Sequence, residues 1–298
     1  MDSSVKSTST KIFQAVVYVC LVILILLALL PFIMLVMSSF STESLLYLEG
    51  YGFWPKGFTT AAYDFLFKSN LLNMLKAFGM SIAVTGVGTG LHILIAPMFA
   101  YSLSRQDYKR ARFFTLVLFV TMMLNGGMVG QYLMWTNLFH VKNTIWALIF
   151  PNLLFTAFQI VLYKNSFANN IHPALIEAAK MDGAGELYIY FRIVLPLSKA
   201  ILATVGLMVG IGYWNDWING QYYVTDTNLQ SLQVMLTKIM QNLQLLVNMG
   251  DTGITSSEMP GVSVRMAIAV MGTIPILVLY PFFQKAFVAG ISLGGVKE

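Results

Sequence analysis

Between Ile12 and Met37 the chain runs the thickness of a membrane without a single charged side chain, and apolar runs of similar length recur further along. A helix needs about 20 predominantly apolar residues to cross the hydrocarbon core of a bilayer. Inside that core the backbone finds no water, so a crossing segment must satisfy its own N–H and C=O groups as a helix. Six candidate spans follow: 12–37, 72–104, 113–136, 144–164, 195–224 and 264–290. The second is long enough to tilt or to project beyond the bilayer. The intervening stretches leave no room for a soluble domain, so residues 1–298 read as one all-α integral membrane domain with six transmembrane helices. Only 10% of the residues are charged, against about a quarter in soluble proteins. The first run exceeds a cleavable signal's apolar region and reads as a retained span.

Lysine and arginine orient these spans. With the N-terminus inside, Lys6, Lys11, Arg105, Lys109, Arg110, Arg112, Lys164, Lys180, Arg192, Lys199, Lys285 and Lys297 lie inside. Lys56, Lys68, Lys76, Lys142, Lys238 and Arg265 lie outside. The positive-inside rule therefore predicts a multi-pass protein with both termini cytoplasmic. The strongest local signal is SRQDYKRAR at 104–112, with four basic residues. Because the basic residues are spread over short loops, the net charge of +5 points to membrane orientation rather than to nucleic acid.

Two outer loops are substantial. Residues 38–71 hold Trp54-Pro55-Lys56-Gly57, a turn with an aromatic suited to an interface. Residues 225–263 hold LQSLQVMLTKIMQNLQLLV, an amphipathic helix serving either as a surface lid or as a docking element. Glycines four residues apart (Gly86 and Gly90, Gly126 and Gly130, Gly206 and Gly210) let helices approach closely, within one subunit or against a second.

Catalytic chemistry has no visible seat. His92, His140 and His172 are far apart, Cys20 is alone, and no phosphate-binding loop ends in Lys-Ser or Lys-Thr. His92, among small residues, suits a hydrogen-bonded packing role. This leaves the polar island EAAKMDGAGELYIYFRIVLP at 177–196, which a bilayer cannot hold. Pro173 suits a first helical turn, Gly183 and Gly185 allow a reversal, and a second amphipathic helix carries Leu187, Tyr190, Phe191 and Val194. On residues alone this is a cytoplasmic helical hairpin, with or without a partner.

EAAKMDGAGE followed by FRIVLP resembles the EAA signature of membrane-spanning subunits of binding-protein-dependent ABC importers. The resemblance extends through FAYSLSRQDYKRAR (99–112), NGGMVGQYLMWTNLFHVKNTIWALIFPN (125–152), GYWNDW (212–217) and YPFFQKAFVAGISLGGVKE (280–298). It is closest to the carbohydrate branch, and within it to oligosaccharide and polygalacturonan- or alginate-type permeases. The resemblance implies a type I ABC importer transmembrane domain in a bacterial cell membrane. Its cytoplasmic loop, 165–194, would hold the coupling helix, with Glu177, Ala178, Ala179, Asp182 and Gly183 meeting or shaping the contact with an ATPase. The implied partners are a second homologous permease, two cytoplasmic ATPase domains and an extracellular sugar-binding protein. ATP and Mg would reside on those partners, and no cofactor on this chain.

A sugar pathway calls for hydroxyl-bonding groups and flat apolar faces. Tyr213, Trp214, Asn215, Asp216, Trp217 and Asn219 cluster near the end of the fifth run, and Asn125, Gln131 and Tyr132 are further candidates, as are Asn152 and Gln159. Trp214 and Trp217 equally suit an interfacial aromatic belt. The alternative class, an ion-coupled secondary sugar transporter, needs intramembrane carboxylates, and the spans carry almost none. A membrane enzyme acting on lipid-linked sugars needs clustered acids or histidines, which are also missing.

Overall fold

The computed structural model describes residues 8–124, 126–151, 153–249 and 261–294. In chain order the helices are α1 (Thr8–Ser39), α2 (Glu43–Glu49), α3 (Ala61–Ser104), α4 (Ala111–Met123), α5 (Gly127–Leu133), α6 (Trp146–Ile149) and α7 (Ala157–Asn170). They continue with α8 (Pro173–Met181), α9 (Glu186–Ile189), α10 (Leu195–Leu197), α11 (Lys199–Trp214), α12 (Ile218–Tyr223), α13 (Leu232–Met249) and α14 (Val262–Gly294). Wider π-type turns follow α5 at Met134–Leu138 and α9 at Tyr190–Val194. Among the described residues the extended pairing is a lone bridge between Ser41 and Phe58. Contacts divide the chain into two compact units, residues 1–71 with 240–273 and residues 72–239 with 274–298.

In the first unit, α1 exposes apolar side chains around its whole circumference. That surface would aggregate in water and is at home in lipid. The loop after α1 folds back: Phe40 stacks on Phe58 with centroids 5.7 Å apart and meets Tyr63 at 4.9 Å. The Thr42 N–H is shared between the carbonyls of Lys56 and Gly57. Glu43, buried on the first turn of α2, accepts from the N–H groups of Val262 (2.6 Å) and Ser263 (2.9 Å) and from Ser263 Oγ (2.6 Å). A carboxylate thus caps the N-terminus of α14 from 220 residues away in sequence, satisfying N–H groups that have no partner within the helix.

The second unit has a core of Tyr163, Phe167, Leu148, Ile149, Ile160, Ile189, Val194 and Val205. Helix α11 packs close to α3. A side chain at Gly206 would strike Ile93, and one at Gly210 would touch Thr89. The ring of Tyr213 occupies the space beside Gly88. Those glycines serve packing within one chain, whereas Gly86, Gly90, Gly126 and Gly130 face open space. The amphipathic helix expected within residues 225–263 is α13, whose Leu232, Val234 and Leu236 are buried.

The helices depart from the sequence-predicted runs in three places. The run 113–136 is bent by 117° between α4 and Gly127–Leu138, at a glycine pair where Gly127 takes φ 71°. The run 144–164 is not one helix but α6 and α7, divided at Pro151, which lacks the N–H a continuing helix needs. The run 195–224 is helical as α11 only to Trp214, and the segment Glu186–Leu197 before it lies at 82° to α11. Among the described residues Lys11–Ser39 and Leu71–Ser104 are each long and apolar enough to cross a membrane, and each bent pair adds one more if it counts as a single span.

Candidate functional site

Helix α8 begins with Pro173 in its first turn, and the His172 imidazole accepts from the Ala174 N–H at 3.3 Å. Its C-terminus closes in a Schellman motif: the Gly183 N–H donates to Lys180 O and the Ala184 N–H to Ala179 O, both at 3.0 Å. The closure puts Gly183 at φ 79°, a conformation side chains disfavour. Gly185, expected to share the reversal, instead has φ −74° and ψ 158°. That extended backbone suits any residue, so the turn depends on Gly183 alone. The expected second helix starts as α9 and widens into the π-type turn Tyr190–Val194. Tyr190 and Val194 face inward, as do Ile176 and Ala179 on α8, while Leu187 and Phe191 stand exposed.

Five side chains brace this hairpin against the end of α3. Arg105 donates through Nε to Asp107 Oδ1 at 2.9 Å and through a second guanidinium nitrogen to Oδ2. Lys180, on α8, pairs with Asp107 at 3.0 Å and with Glu186 at 2.7 Å. The Tyr101 hydroxyl donates to Glu186 and accepts from Arg105, both at 3.1 Å. The Arg105 hydrogen bonds hold the Asp107 carboxyl well below the usual carboxylate range, with Lys180 adding to the effect. The Glu186 and Asp107 hydrogen bonds push Lys180 upward. Arg105, Asp107, Lys180 and Glu186 therefore stay charged across ordinary pH, and Tyr101 stays a neutral phenol. Sequence reasoning passed over this network because its members lie 73 positions apart between Asp107 and Lys180. The one visible signal was the single acid in an otherwise basic loop.

The brace divides the coupling candidates. Glu177, Ala178, Asp182 and Gly183 are exposed. Ala179 is only 8% exposed and packs into its own chain's core. On the outer side Met181, 89% exposed, and Leu175 accompany Ala178. The outward face of α8 is thus small and apolar with an acidic tip, and Lys180 faces the brace.

The pathway candidates fall into separate groups. Tyr213 (3% exposed) donates its hydroxyl to Ile149 O at 2.9 Å, and Asn219 (2% exposed) donates its amide to Pro151 O at 2.9 Å. His92, fully buried, donates through Nδ1 to Leu154 O at 2.8 Å. Three elements thus satisfy carbonyls around the α6–α7 break, where an unpaired group away from water would be costly. His92 has the hydrogen-bonded packing role expected of it. Trp214 is buried edge-on against Phe78, centroids 5.8 Å apart. Asp216 Oδ1 accepts from the N–H groups of Ile218 (3.1 Å) and Asn219 (3.2 Å), capping α12. Asn215 and Trp217 are exposed. Tyr132 stacks on Tyr223 at 5.6 Å and accepts from Lys142 Nζ at 3.1 Å, while Gln131 is half-buried. Asn125 and Asn152 lie outside the described residues.

No family model matches the chain. It is 34% identical to protein LplC of Bacillus subtilis over 267 residues, 90% of this chain and 88% of that one. It is 34% identical over 292 residues to the polygalacturonan/rhamnogalacturonan transport system permease protein YtcP of the same organism, covering 96% and 99% of the two chains. In three dimensions it is similar to a chain of a bacterial ABC transporter involved in the import of the acidic polysaccharide alginate. The TM-score is 0.74 and the identity 30%, over 94% of this chain and 98% of that one. Helical architecture and relatives together define a membrane transport subunit. The chain belongs to the permease subunits of sugar ABC transporters.

Proposed function

We propose that the chain is one of two permease subunits of an ATP-driven oligosaccharide importer in a bacterial cell membrane, and that α8 is its coupling helix. Six crossing segments, with both termini cytoplasmic, would be α1, α3, the α4–α5 pair, the α6–α7 region, α11 and α14. A second homologous permease completes the passage, two cytoplasmic ATPases bind and hydrolyse ATP with Mg, and an extracellular binding protein delivers the sugar. The chain itself holds no cofactor in this reading.

The observation that carries the proposal is the two-sided build of α8. Its outer face presents Leu175, Ala178, Met181 and Asp182. Its inner face is tied through Lys180 to Asp107, three residues beyond the end of α3. A docked ATPase that moves α8 therefore moves a span with it, as a rigid lever requires. Alanine at 178 permits close approach, and Glu177 and Asp182 supply polar contacts at the rim. Oligosaccharide as cargo is supported by the polygalacturonan/rhamnogalacturonan permease and by the alginate importer. On this chain the exposed ring of Trp217 offers the flat face on which a sugar stacks.

Reconstitution tests the proposal. In proteoliposomes with its partner subunits, the chain supports uptake of an oligogalacturonide only when ATP is present, and uptake persists after ion gradients are collapsed. Uptake that follows the gradient and ignores ATP would assign the chain to the ion-coupled class instead.

A further inference from the structure

A second site lies beside the α8 brace, and no partner of the importer accounts for it. We propose that the depression between the end of α3, the first half of α4 and Lys164 of α7 binds the phosphate headgroup of an anionic phospholipid. This rests on the membrane placement proposed above. The depression has a volume of about 880 Å³, and Arg105, Lys109, Arg112 and Lys164 line it together with Thr115. Arg105 is neutralised by Asp107 and Glu186. Lys109, Arg112 and Lys164 have no acidic partner among the described residues. Lys164 Nζ is held at 3.0 Å from Thr115 Oγ1, which leaves the hydroxyl proton to donate to an oxygen in the depression. Three uncompensated cations and a hydroxyl around one concavity call for a multiply accepting anion, and a phosphate supplies that chemistry.

What selects a lipid over a soluble phosphate is the surface beneath. Leu116 and Phe119 continue the same depression along α4. Phe113, Val117 and Val120 extend the exposed apolar track on that helix. A phospholipid matches both parts, with its headgroup among the cations and its acyl chains along α4. A free phosphate would meet only the charged rim. Basic pockets beside membrane-spanning helices on the cytoplasmic side are suited to such headgroups.

Native mass spectrometry of the assembled complex, extracted from membranes of mixed phosphatidylglycerol and phosphatidylethanolamine, tests the site. The complex retains phosphatidylglycerol in preference to phosphatidylethanolamine, and each of Lys109→Gln, Arg112→Gln and Lys164→Gln lowers that preference on the order of fivefold. Lys68→Gln, remote from the site in sequence and exposed, leaves it unchanged. Excess inorganic phosphate leaves the lipid bound. Equal retention of the two lipids, or retention indifferent to the three variants, overturns the proposal. Displacement by phosphate alone reassigns the site to a soluble anion. If the variants lose the ATPases rather than the lipid, the cations belong to an acidic protein surface. Lys109 is exposed, so its single variant reads out even where Lys164→Gln perturbs packing. Loss of lipid with ATP-dependent uptake intact would leave the transport reading standing. Loss of ATP-dependent uptake in the unmodified complex would count against that reading alone.

Discussion

At the turn that closes α8, Gly183 is required for its backbone alone. Its φ of 79° closes α8, yet a side chain there would meet nothing within 4 Å. The objection to substitution is therefore conformational and not steric. A non-glycine residue in this region loses about 1–2 kcal/mol, most for a β-branched side chain, whereas asparagine is the accepted substitute at such a closure. In the assembled complex Gly183→Val abolishes stimulation of ATPase activity by loaded binding protein while Gly183→Asn preserves it. Equal behaviour of the two variants would detach the turn from coupling. This residue was legible from sequence, because a glycine after an apolar helix with alanines and a lysine at its end is a local signal. Glu43 was not legible: its partners Val262 and Ser263 lie at the far end of the chain, and nothing in the spacing of ESLLYLE announces them.

At the scale of elements, the brace between α3 and α8 sets a pH window. The folded carboxyl of Asp107 is depressed, so its contribution is fully present above the ordinary carboxylate range near pH 4 and is lost as pH falls through the depressed value. Lys180 is raised, so its contribution is present below its ordinary value near pH 10 and is lost only as pH rises through the raised one. Between those limits the brace is constant. Asp107→Asn removes the central charge, leaving Arg105 and Lys180 with Glu186 alone. That variant inserts normally but shows weaker coupling of ATP hydrolysis to uptake from pH 6 to 8, with no pH dependence of its own. Coupling equal to the unmodified complex would reduce the brace to surface decoration. The same scale explains what sequence pattern missed around α6 and α7. An apolar run of membrane length predicts one helix, and TIWALIFPNLLF looked like one. The break at Pro151 is tolerated there because Tyr213, Asn219 and His92 supply donors to the carbonyls of Ile149, Pro151 and Leu154. Periodicity cannot report partners that lie some 60 residues away.

For the whole molecule the coupling reading sets a condition on how the bent pair α4–α5 meets the bilayer. Helix α4 has 13 residues, about 20 Å at 1.5 Å per residue, short of the roughly 30 Å hydrocarbon core. Alone it cannot cross, so the 117° bend describes either one broken span or a loop that enters and leaves by the same face. The two arrangements differ in where two lysines come to lie. Lys109 belongs to the basic cluster before α4, and Lys142, after the π-type turn, stands among uncharged neighbours. A broken span puts those two lysines on opposite faces, whereas a re-entrant loop puts them together and reverses every later segment. That reversal would carry α8 and its brace outside, away from ATP, so the coupling reading needs the broken span. In a Cys20→Ser background, Lys109→Cys is labelled by an impermeant maleimide only in inverted vesicles and Lys142→Cys only in intact cells. Labelling of both from one face would invert the second half of the chain and remove α8 from the reach of any cytoplasmic ATPase.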